Sequence, residues 1–105
     1  MCLTQKSYDP YVHFTNLCRM MVKKLPKILE YFDANKDILS DNEGHYLEMM
    51  DRFKVDYDTC KEWGEIEKNH WKKKTHFEEG VEVMDKEIDE LYLMHRYMVK
   101  MVEKN

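Results

Sequence analysis

The chain has 105 residues, 43% hydrophobic and 36% charged, with three Gly, two Pro and a formal net charge of -4. That length suits a single domain able to bury an apolar core without metals or cross-links, and so few Gly and Pro leave little material for the turns of a many-stranded sheet. Three widely spaced cysteines, Cys2, Cys18 and Cys60, and an opening MCLTQKSYDPY with no apolar secretory core predict a reducing, cytoplasmic setting; no apolar run reaches the roughly 18 residues needed to span a bilayer.

The first predicted helix covers residues 10–34. Apolar side chains at Tyr11, Phe14, Cys18, Met21, Leu25, Ile28 and Phe32 recur in steps of three and four, which places them on one stripe. Asp9 is placed as an N-cap acceptor, and Pro10 follows at the position where its missing N–H costs nothing. Pro26 lies within the stripe without shifting its phase, so one kinked helix is expected, with two abutting helices as the alternative.

The stretch FDANKDILSDNE, residues 32–43, connects this helix to the next. Asp33, Asn35 and Asp37 stand at the first, third and fifth places after Phe32, and Leu-Ser-x-x-Glu follows. In these residues the connection resembles the calcium loop of the EF-hand family over 32–44. The resemblance implies oxygen ligands from Asp33, Asn35 and Asp37, with Glu43 closing the shell. Ile38 occupies the place where that family has Gly, and Glu43 reaches the closing position only in a loop one residue shorter. The same letters also read without an ion, as a helix stop followed by a capping box in which Ser40 and Glu43 satisfy each other's amides.

The second predicted helix spans 40–73, with Tyr46, Met50, Phe53, Tyr57 and Cys60 as its seam, widened by Leu47 and Met49. Gly64 either ends it or is a tolerated interior glycine, in which case Ile66, His70 and Trp71 continue it to Lys72, Lys73 and Lys74. A further capping box, Thr75 to Glu78, opens the third helix, 75–104, on the stripe Phe77, Val81, Met84, Ile88, Leu91, His95, Met98 and Val102. The fold class is therefore all-α, an antiparallel three-helix bundle, or four helices if the second breaks at Gly64. Stripes of about 36 Å are long for so short a chain and make a homo-oligomer a reasonable expectation.

The motifs of catalysis and phosphate binding are absent from the letters: the glycines are scattered at 44, 64 and 80, and Glu67 with His70 is the one Glu-x-x-His. Cys18 and Cys60 occupy seam positions expected of small core residues. No enzyme and no cofactor are expected, calcium entering only through the EF-hand resemblance. Residues 39–67 hold nine acids against three bases, and 68–74 hold four bases and no acid. Nine Met, seven Tyr, Trp63 and Trp71 add the soft and amphipathic groups common at interfaces. The expectation is a non-catalytic protein-binding module, an adaptor, accessory subunit or inhibitor, contacting its partner protein through Asp51, Asp56, Asp58, Glu62, Trp63, Trp71 and the lysines 72–74. The alternatives are a degenerate calcium binder at the 32–44 loop and a nucleic-acid-associated regulator using the basic, aromatic corner of 70–76.

Overall fold

The structure is a computed structural model that describes residues 8–40 and 45–104. It is all-α: α1 (Pro10–Ala34), α2 (Lys36–Leu39), α3 (Tyr46–Trp63) and α4 (Lys74–Lys104), with no strand among the described residues. None of these helices is long and apolar enough to cross a membrane.

Helix α1 starts where the Asp-Pro pair predicts. The Asp9 carboxylate accepts from the Tyr11 amide at 3.0 Å, and Pro10 takes the first helical position. The helix continues as one element through Pro26, whose ring is exposed. Its expected stripe is its buried face: Phe14, Cys18, Met21, Leu25, Ile28 and Phe32 are all within 5% of full burial. One turn later α2 carries the fully buried Leu39 back against α4.

The chain then runs up, down and up. Tyr11 packs edge-on to Phe77, and Tyr31 edge-on to His95, so α1 and α4 lie parallel. Arg19 on α1 reaches the Gly64 carbonyl, Cys60 meets Met84, and Arg52 reaches Glu90, so α3 runs against both. Helix α1 packs against each of the other two long helices, and the three seams share one core.

The second helix is shorter than expected at both ends. Its first helical residue is Tyr46, after His45 in the left-handed conformation at φ 58° and with no side-chain cap. Ser40 instead ends α2 in a right-handed helical conformation, and Glu43, the other half of the expected capping box, lies outside the described residues. At the far end Gly64 stops the helix. Its carbonyl accepts from Arg19 Nε at 3.0 Å, and a Cβ there would lie 3.1 Å from the Cys60 oxygen and 3.2 Å from Arg19 Cγ.

Residues 64–73, expected to continue this helix, form a series of turns. They are tied to the start of α1: Tyr11 Oη donates to the Ile66 carbonyl at 2.7 Å, and Lys68 Nζ pairs with Asp9 at 2.8 Å. These tertiary anchors outweigh a local helix preference that was weak to begin with. Helix α4 begins at Lys74, one residue early, which puts Thr75 inside the helix rather than at its cap.

Candidate interaction surface

At 100° per residue, α3 turns Tyr46, Met50, Phe53 and Cys60 toward the core and sends Leu47, Asp51, Val55, Asp58 and Glu62 down the opposite side. The burial pattern agrees, the first four being buried and the other five exposed. Val55 is 67% exposed and Leu47 41% exposed. Leu47, expected to widen the seam, is thus part of the outer ridge. Asp51 pairs loosely with Lys54 on the same helix at 3.9 Å, while Asp58 and Glu62 have no ion-pair partner among the described residues.

Asp56 leaves this ridge. Half-buried, it faces Glu87 of α4 at the rim of a cleft of about 340 Å³ between α3 and α4. Glu87 Oε2 is buried with no hydrogen-bond partner; Arg52 Nη2 comes only to 3.9 Å because it is engaged with Glu90 at 2.6 Å. Burial, reinforced by the Asp56 carboxylate, pushes the Glu87 carboxyl up to about 7, with Arg52 working in the opposite direction. Glu87 was detectable in principle, since it sits between Met84 and Leu91 at the edge of the α4 stripe, where an acid cannot be fully hydrated.

The tryptophans turn inward. Trp63 and Trp71 stack at 4.8 Å, and Trp71 lies 5.7 Å from Phe14 and 4.8 Å from Phe77. His70 sets an edge on Trp63, and His76 on Trp71. Gly80 makes room for this cluster, because a Cβ at that position would stand 2.7 Å from two atoms of the Phe14 ring. Lys72, Lys73 and Lys74 remain exposed at the adjoining edge, where Lys72 and Lys74 border a hollow of about 410 Å³ with Tyr8 and Asp9. The corner of 70–76 therefore offers its lysines to solvent while its indole is engaged in the protein's own aromatic cluster, an arrangement unlike an open stacking platform.

Residues 33–39 are almost entirely helical. Asp33 lies in the last turn of α1 and Asp37 in α2, and the Asn35 side-chain amide donates to the Tyr31 carbonyl at 2.9 Å. On a helical path residues two apart point about 200° from each other, so Asn35 is turned away from the side shared by Asp33 and Asp37. Glu43 lies outside the described residues. Among the described residues no three His, Cys, Asp or Glu side chains are grouped to hold a metal ion.

Two groups that sequence reasoning assigned only to packing also meet here. The Cys18 and Cys60 thiols, both buried and free, face each other across the α1–α3 interface closely enough to perturb each other's ionisation, and Cys60 Sγ lies 3.8 Å from Met84 Sδ. Their common seam phase was visible in the letters, but their register against each other was not. No family model, curated protein or solved structure matches the chain.

Proposed function

We propose that this protein is a non-catalytic helical module that binds a basic, amphipathic helical segment of a partner protein along the outer ridge of α3. The carrying observation is the composition of that ridge: two exposed aliphatic side chains, Leu47 and Val55, alternate with Asp51, Asp58 and Glu62. The aliphatic groups supply area to desolvate, and the acids, two of them without an ion-pair partner among the described residues, select positive charge and raise the encounter rate. Recognition of one helix by another through anchors spaced three and four apart is the mode that fits this geometry. Trp63 and Trp71 do not contact the partner in this reading; they stiffen the end of the bundle from which Glu62 projects. The pair of free, buried thiols supports a reducing, cytoplasmic setting.

The test is calorimetric titration with a synthetic amphipathic helix of Leu and Lys, about 18 residues long. Charge reversal by Asp58→Lys with Glu62→Lys weakens binding by about tenfold or more, and Val55→Ser alone weakens it by about threefold to tenfold. Reversal of Glu82 and Asp89, exposed acids of α4, leaves the affinity within about twofold. Equal losses from the α3 and α4 reversals, with no effect of Val55→Ser, would reduce the interaction to general charge attraction and refute the ridge as a docking site.

A further inference from the structure

One layer of the core collects sulfur from all three long helices. Helix α1 contributes Cys18 and Met21, both fully buried; α3 contributes Cys60, 4% exposed; α4 contributes Met84, 7% exposed. Cys60 Sγ and Met84 Sδ are 3.8 Å apart, and the Cys18 thiol on α1 lies close enough to Cys60 for the two to perturb each other's ionisation. Met21, Cys60 and Met84 also line the cleft of about 340 Å³ between α3 and α4, so the layer has a route to solvent.

We propose that Cys18, Cys60 and Met84 form a binding site for a soft monovalent metal ion, copper(I) in a reducing cell. A three-coordinate ion with metal–sulfur bonds of about 2.3 Å has sulfur–sulfur edges of about 4.0 Å, so the Cys60–Met84 separation already approaches the length such a site needs. The ligands stand on three helices, rigid elements that hold a site more precisely than loops do.

The donor set selects the metal. Thiolate and thioether sulfur favour copper(I), whereas zinc prefers four ligands drawn from thiolate, imidazole and carboxylate. No third His, Cys, Asp or Glu joins the two thiols among the described residues, and thioethers supply what is missing. Loading is an exchange of protons for metal: each coordinating thiol loses its S–H proton to solvent as its S–Cu bond forms, and no electron is transferred. Phe14, Trp63 and Trp71, on the wall of the same cleft, would shield the ion from water and oxidants.

The experiment loads the full-length protein with copper(I) under anaerobic, reducing conditions in competition with a chromogenic copper(I) chelator. Every sample carries Cys2→Ser, so that the remaining cysteine cannot contribute. The expected result is one ion per chain, an ultraviolet thiolate-to-metal charge-transfer band and an X-ray absorption signature of three sulfur ligands. Cys60→Ser abolishes the band and lowers affinity by about a hundredfold or more. Met84→Leu, which conserves volume and leaves the helical circular dichroism unchanged, lowers affinity by about tenfold. Absence of the band in a folded Cys2→Ser protein, or an affinity unchanged by Met84→Leu, overturns the site and leaves these residues as core packing.

Discussion

Truncation of Phe14 to Ala is expected to lower the free energy of unfolding by about 3–5 kcal/mol, a large fraction of the about 5–15 kcal/mol that stabilises a typical domain. Phe14 is where α1, α4 and the 64–73 connection meet: its ring lies 6.3 Å from Trp63, 5.7 Å from Trp71 and 6.1 Å from Phe77. The residue opposite is Gly80, which has no side chain to move into the space. The cavity therefore collapses poorly, and the loss falls toward the upper end of the range. The same geometry predicts a coupling. Gly80→Ala alone brings a Cβ to 2.7 Å from the Phe14 ring and destabilises, despite the better helix propensity of Ala. In the Phe14→Ala background that methyl enters open space, so the two changes together cost at least about 1 kcal/mol less than their sum. Urea unfolding of the four proteins, followed by tryptophan fluorescence, checks both statements. Additive effects would mean that Phe14 and Gly80 do not meet.

Substitution of Glu87 by Gln is expected to change how stability depends on pH. The folded carboxyl titrates at about 7 against a usual 4.5, so between these values the folded state holds more protons than the unfolded state. Stability is then highest below about pH 4.5 as far as this group is concerned, and falls as pH rises through 7. The full shift corresponds to about 3 kcal/mol, but a side chain still 27% exposed and opposed by Arg52 at 3.9 Å retains about 1–2 kcal/mol of it. Glu87→Gln removes this loss and is expected to be more stable than the parent at pH 8, with the difference shrinking toward pH 5. Unfolding free energies of the two proteins at pH 5 and pH 8 decide it, because all other titrating groups are common to both. A parent protein that gains on the variant as pH rises would show that Glu87 is held ionised by its neighbours.

Most of the helical frame is legible in the letters because its determinants are local. Asp9 and Pro10 start α1, a three-four rhythm sets its buried face, and the stripe Phe77, Val81, Met84, Ile88, Leu91 and Met98 describes the core side of α4, with Met94 buried and His95 only half-buried. The stretch of 64–73 was not legible. Its Glu, Lys, Ile and Trp residues carry no strong signal against a helix, and what unwinds it lies 45 to 59 residues away in Arg19, Tyr11 and Asp9. The outer ridge of α3 was legible in part: a run of acids identifies α3, but only the packing direction separates Asp51, Asp58 and Glu62 from Asp56. The tryptophans illustrate the same gap. Composition marks them as interface residues, whereas Gly80 and Phe14 provide an internal site that one sequence cannot show to be present.

The most direct measurement of the docking reading is a residue-by-residue footprint, recorded as amide chemical-shift changes of the isotope-labelled protein on titration with the basic amphipathic helix. The largest changes are expected at Leu47, Asp51, Val55, Asp58 and Glu62, with little at Lys72 to Lys74 or along α4. A footprint centred on the exposed Leu93 and Tyr97 of α4, or on the lysine corner, would contradict it.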